Sequence, residues 1–94
     1  MKMRMGWSRF YGSDYNKLRK KVFKRDKYTC QLCKKRKRKI EAHHIFKYST
    51  YASLREEERN LITLCKDCHT SIKDQEHIYM EYFIQIINRC YDNH

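Results

Sequence analysis

The 94-residue sequence has no proline, only two glycines and a single tryptophan, and its 11 Asp and Glu are half as many as its 22 Lys and Arg. Both glycines, Gly6 and Gly12, fall near the start. No Pro/Gly-rich linker and no low-complexity tract therefore divides the chain, and residues 1–94 are read as one small domain. No apolar run approaches the roughly 20 residues that a membrane span needs. The basic, hydrophilic N-terminal stretch also lacks the apolar centre of a signal peptide. The expectation is a soluble, cytoplasmic chain in a reducing setting, with no membrane partner.

A domain of this size buries a modest core and commonly needs a cross-link or a metal to hold it. The formal net charge of +11 adds self-repulsion, which makes most sense if the partner is a polyanion; DNA is the first candidate.

Five cysteines sharpen the picture. Four form Cys30-Gln31-Leu32-Cys33 and Cys65-Lys66-Asp67-Cys68, two CxxC knuckles that can place four thiolates around a structural Zn²⁺. A pair of disulfides is the competing arrangement, but doubled CxxC spacing and a reducing compartment favour metal. The fifth, Cys90, has the spacing of a helical core residue.

The expected fold is α+β: a small ββα-metal finger with paired Cys₄ zinc knuckles, flanked by N- and C-terminal helices. Residues 1–12 read as a basic and aromatic arm carrying Trp7, Phe10 and Tyr11, with Arg4 and Arg9 as outlying DNA contacts. Ser13 is a candidate N-cap for a helix from Asp14 to Arg25, whose Tyr15, Leu18 and Val22 share one stripe among lysines. Residues 13–73 form the zinc-stapled core. Within it Ile40, Ala42, Glu41 and His43 alternate as a short strand, Ser53 and Glu56 suggest a capping box on a helical turn, and Leu61–Leu64 returns as a second strand. Helices are expected over 66–73 and over 75–91, the latter marked by Tyr79, Phe83, Ile86, Ile87 and Cys90 at intervals of three and four. Residues 74–94 are the C-terminal helix, and its apolar stripe is core or a surface for a weak homodimer.

Between the first knuckle and the first strand stand six consecutive cations, Lys34, Lys35, Arg36, Lys37, Arg38 and Lys39. A turn laid against DNA phosphates fits this position better than a free targeting signal does. Just beyond it, His43 and His44 are adjacent. At the end of a strand, neighbouring side chains point to opposite faces, so one imidazole can bind a metal while the other remains free as a general base. Histidine suits both tasks. Phe46, Tyr48 and Tyr51 follow, able to pack over such a site, while His77 and His94 have no evident partner.

The order CxxC, His43-His44, Asn60, CxxC-His69, with the flanks Tyr28-Thr29 and Asn60-Leu61-Ile62-Thr63-Leu64, resembles the HNH endonuclease family of zinc-bearing ββα-metal nucleases, over about residues 18–73. The resemblance implies that His44 deprotonates the attacking water. His43 and His69 would bind one divalent ion, and Asn60 would hydrogen-bond across the loop that carries His44. Products would be a 5′ phosphate and a 3′ hydroxyl.

Two departures bear on the metal. Some family members carry a third metal histidine four residues after the last, where this chain has Lys73, so Glu41 becomes a candidate to orient a ligand or join the ion. Imidazole at position 43, often Asp in the family, suits Mn²⁺, Ni²⁺ or Zn²⁺ better than Mg²⁺. Tolerance of all four is the expectation. Small members of this kind are common in phages and mobile elements, which suggests a phage-infected bacterial host. Two alternatives stand beside the enzyme: a non-catalytic, zinc-stapled DNA-binding module, and an accessory subunit working with phage DNA-packaging proteins.

Overall fold

A computed structural model describes residues 3–92, with side-chain detail from residue 14 onward. In chain order it contains α1 (Met3–Arg25), β1 (Ile40–His44), two 3₁₀ turns (Ala52–Leu54 and Glu58–Asn60), β2 (Leu61–Cys65), α2 (Lys66–Ser71) and α3 (Glu76–Asp92). The strands pair antiparallel, with Ile40 opposite Cys65, His43 opposite Ile62 and His44 opposite Leu61. The fold is α+β, a two-stranded sheet with helices on both sides.

Register sorts the sheet into two faces, because directly opposed residues of an antiparallel pair share a side. Glu41, His43, Ile62 and Leu64 occupy one face. Ile62 and Leu64 join Cys30, Ile45, Cys65, Ile72, Phe83 and Ile87 in the core, so α3 covers this side. Ala42, His44, Leu61 and Thr63 occupy the other, where Tyr15 of α1 stacks on His44 with ring centroids 6.1 Å apart. All five residues of β2 are buried. That explains its near-continuous apolar run, which alternation alone would not require.

A two-stranded sheet leaves main-chain groups along its outer edges, and here the flanking chain satisfies those of β2. The Thr63 amide donates to Asp26 Oδ2 at 3.0 Å, and the Gln31 amide donates to the Thr63 carbonyl at 2.9 Å. Asp26 also receives both prongs of Arg25 at 2.8 Å, and the guanidinium donates further to the carbonyls of Leu61 and Glu58 at 2.6 and 3.0 Å. Burial alone would lower the Arg25 pKa; its bonds to Asp26 outweigh that and raise it. The end of α1 is thereby locked to β2 and to the second 3₁₀ turn. The helix stops there without glycine, using Lys27 and Tyr28 at φ 57° and 56°, a conformation that costs roughly 1–2 kcal/mol per non-glycine residue.

Two features differ from the sequence pattern. Helix α1 begins at Met3, well before Ser13: no proline interrupts residues 3–13, and a glycine inside a helix costs about 1 kcal/mol without ending it. The stretch read as an arm is therefore helical backbone from Met3, and the side chains of Arg4, Trp7, Arg9, Phe10 and Tyr11 lie outside the described residues. Ser53 makes no capping box. It sits inside the Ala52–Leu54 turn, whose N-cap is Tyr51 with no side-chain cap bond, because main-chain bonds from Leu54 to Tyr51 and from Arg55 to Ala52 already close it.

Candidate metal centres and catalytic pocket

The two knuckles converge. Sγ atoms of Cys30, Cys33, Cys65 and Cys68 all lie within 4.8 Å of one another, and none of these cysteines is in a disulfide. Cys33 and Cys65 are 4.0 Å apart, close to the roughly 3.8 Å edge of a tetrahedron built on Zn–S bonds of about 2.3 Å. Each knuckle turns an amide back on its first sulfur, Cys33 to Cys30 and Cys68 to Cys65, both at 3.4 Å. Burial opposes ionisation of Cys30, yet amides of Cys33, Cys65 and Leu32 outweigh it and bring its pKa down to about 7. Burial and neighbouring sulfurs push Cys68 up. A cluster in which one thiolate discourages the next is what a divalent cation relieves, and the four-cysteine group can hold a structural metal such as zinc.

Because strand residues alternate, β1 delivers its two histidines to different surroundings. His43 is 6 % exposed, edge-on to Phe83 with centroids 5.6 Å apart and edge-on to His69 at 5.3 Å. Burial, with a smaller contribution from His69, lowers its pKa to about 4. The ring is neutral at physiological pH, with a lone pair available to a metal. His69 reaches it from α2, where the Cys65–Cys68 knuckle forms the first turn. On its other side His69 Nδ1 lies 2.6 Å from Glu41 Oε1. A ligating histidine whose second nitrogen binds a carboxylate is the usual arrangement at metal sites. The two imidazoles, with Glu41 behind one of them, thus suit a divalent ion.

His44 points the other way. Its Nε2 lies 3.0 Å from the Arg55 carbonyl, which can only accept, so Nε2 carries the proton and Nδ1 keeps the lone pair. Tyr15 stacks on the ring and Tyr48 meets it edge-on at 5.2 Å. Despite their separate faces, His43, His44 and His69 all line one cavity of about 430 Å³.

Asn60 is 4 % exposed and does not touch the cavity. Its Oδ1 accepts from the Phe46 amide at 2.7 Å, while Nδ2 donates to the Phe46 and Leu54 carbonyls at 3.1 and 3.0 Å. These bonds tie both ends of the 46–54 loop to the last residue of the second 3₁₀ turn, immediately before β2. The next residue, Arg55, is the one whose carbonyl holds His44; its own side chain is pinned by the Tyr48 carbonyl at 2.6 Å and lies over the Tyr48 ring.

Residues 34–39 are all exposed. Lys37, Arg38 and Lys39, with Lys66, line a separate cavity beside Cys65 and Asp67. This basic surface sits at the four-cysteine end of β1, beside Ile40, and His44 ends that strand four residues after Ile40, roughly 13 Å away. The structure does not bring the cations to the histidines; it sets the two along one strand.

Three cavity residues escape a reading of the sequence. Glu76, His77 and Met80, from the first turns of α3, line the histidine cavity. His77 is exposed, as a surface residue would be, but it faces this cavity. Only the docking of α3 reveals it; no local motif does. Lys73, by contrast, is exposed beyond the end of α2.

Comparison with known proteins bears on the same residues. The family model described as HNH endonuclease matches residues 30–75, from the first knuckle past His69. Anaredoxin from Nostoc sp. (strain PCC 7120 / SAG 25.82 / UTEX 2576) is 33 % identical over 57 residues, covering 61 % of this chain and 72 % of that protein. No solved structure matches the chain. Among the described residues, no helix is long and apolar enough to cross a membrane.

Proposed function

Since this chain belongs to the HNH endonuclease family, a family of nucleases that act on nucleic acid, we propose that it is a divalent-metal-dependent DNA endonuclease. The observation that carries this reading is the shared cavity of His43, His44 and His69, in which one imidazole is turned away from the other two.

Each residue has a task that its surroundings suit. His43 and His69 present ring nitrogens as ligands, and Glu41 orients His69 by accepting from its Nδ1–H. A divalent ion held there would stabilise charge growing on the leaving 3′ oxygen. His44 takes a proton from water at Nδ1. As it becomes an imidazolium, its Nε2–H bond to the Arg55 carbonyl strengthens, and that bond also fixes the ring for in-line attack. Asn60 acts at one remove, holding the loop whose carbonyl holds the base. The exposed run from Lys34 to Lys39 neutralises flanking phosphates at the zinc end of β1. Products are a 5′ phosphate and a 3′ hydroxyl.

Incubating the zinc-loaded protein with end-labelled plasmid DNA and Mg²⁺, Mn²⁺ or Ni²⁺, then testing whether the new ends are joined by DNA ligase without prior kinase treatment, examines both activity and bond polarity. Ligatable ends support the proposal. Intact DNA under every metal would instead leave a zinc-stapled DNA-binding module.

A further inference from the structure

Away from the histidines the cavity wall changes character. Part of its rim is the turn that follows β1, where the amides of Thr50 and Tyr51 both donate to the Lys47 carbonyl, at 3.2 and 2.9 Å. The turn brings Lys47, Tyr48 and Tyr51 to the cavity together. Tyr48 and Tyr51 keep 39 % and 43 % of their surface in solvent, and Lys47 is exposed.

These rings are held in place. The Asn60 side chain binds Phe46 and Leu54 at the two ends of the loop. Tyr51 meets Phe46 edge-on at 5.3 Å, while Tyr48 lies against the Arg55 guanidinium at 4.3 Å and edge-on to His44. A ring fixed at the rim of a cavity has already lost the freedom that binding would otherwise cost. Exposed aromatic rings beside cations suit a single strand of nucleic acid, whose phosphates meet the charge and whose bases stack on the rings. A base inside a duplex cannot stack in this way without leaving its neighbours. His43, moreover, is buried in the cavity wall, so the strand has to enter the cavity to approach it.

We propose that Tyr51, with Lys47, forms a subsite for an unpaired nucleotide beside the scissile phosphate, so that the DNA is single-stranded where it is cut. This rests on the reading that the cavity of His43, His44 and His69 is where a DNA strand is hydrolysed. Tyr51 stacks on the base, and Lys47 meets a phosphate of the same strand. Charge alone gives the opposite preference: each phosphate neutralised contributes about 0.9 to the salt slope in duplex DNA against about 0.7 in a single strand, so a net charge of +11 favours the duplex. Preference for the single strand is therefore the mark of the ring.

The test is fluorescence anisotropy of the full, zinc-loaded chain, without added divalent ion, on a labelled single-stranded oligonucleotide and on the same sequence as a blunt duplex, at several salt concentrations. Wild type should bind the single strand more tightly. Y51L keeps an apolar contact with Phe46 but has no aromatic face; it should lower single-strand affinity by about 5- to 100-fold, the range of one base–aromatic stack, and remove the preference. Y51F should retain it. Circular dichroism and zinc content confirm the fold of each variant. A wild type that favours the duplex, or a folded Y51L protein with the wild-type ratio of affinities, would overturn the subsite while leaving the nuclease reading intact. Absence of salt-dependent binding to either DNA would overturn both.

Discussion

His69 and Glu41 meet at 2.6 Å, Nδ1 against Oε1, although they come from different elements twenty-eight positions apart in the sequence. The contact exists because Glu41 and His43 share a face of β1 and the Cys65–Cys68 knuckle opens α2 directly alongside. If His69 holds a divalent ion as proposed, a carboxylate in this position would fix which nitrogen faces it and raise ligand basicity. Glu41→Gln should therefore weaken divalent-ion affinity by about 10- to 100-fold with zinc content unchanged. Calorimetric titration with Mn²⁺ measures this, and an unaltered isotherm would remove Glu41 from the site.

The four cysteines join segments that the small core alone would hold poorly. Structural zinc contributes folding free energy directly, so Cys30→Ser should abolish cooperative thermal unfolding, and chelation of zinc from the wild type should do the same. Circular dichroism with parallel zinc analysis distinguishes the outcomes. A folded, zinc-free Cys30→Ser protein contradicts the role assigned to the cluster.

His43 imposes a pH dependence on stability. Its pKa is about 4 in the folded chain against 6.5 ordinarily, so the unfolded chain takes up the proton first. The contribution of the neutral ring is fully present above the ordinary value, falls as pH drops below it, and is exhausted below the folded value. Between about pH 7 and pH 5.5, a range that limits acid release of zinc, protein washed of the exchangeable ion should lose about 1 kcal/mol more than His43→Gln. Denaturant titrations at the two pH values read the difference, and parallel losses in the two proteins would contradict it.

Charge at the four-cysteine end of β1 should appear as salt dependence. Replacing Lys37, Arg38 and Lys39 together with Gln removes up to three phosphate contacts, which lowers the slope of log affinity against log salt by about 3. Fluorescence anisotropy on a DNA duplex at several salt concentrations gives the slope. If it is unchanged, DNA lies elsewhere on the surface.

Much of this arrangement is legible in the sequence because its chemistry is local. Paired CxxC spacing announces the metal cluster, and alternation in β1 sends His43 and His44 to opposite faces before any tertiary contact is considered. The stripe through Phe83 and Ile87 likewise marks the buried face of α3. What stays hidden depends on long-range closure. Arg25 and Asp26 look like two more surface charges at a helix end, and nothing nearby in sequence indicates that Asp26 caps the edge of β2, because its partner Thr63 is thirty-seven residues away. Glu76 and His77 read as an unremarkable helix start until the left-handed Asp74 folds them back over the cavity. The early start of α1 was obscured for another reason: Ser13 has the chemistry of an N-cap, but a cap residue does not stop a helix that continues through it.

The division of labour between two adjacent imidazoles is tested most directly by the single-turnover cleavage rate of His44→Ala, measured on plasmid DNA at saturating Mn²⁺ with Mn²⁺ affinity determined on the same preparation. If His44 is the base and His43 and His69 hold the ion, the rate falls by about 10²- to 10⁴-fold while affinity for Mn²⁺ and DNA is retained. A rate equal to wild type, or a loss explained entirely by weaker Mn²⁺ binding, would contradict it.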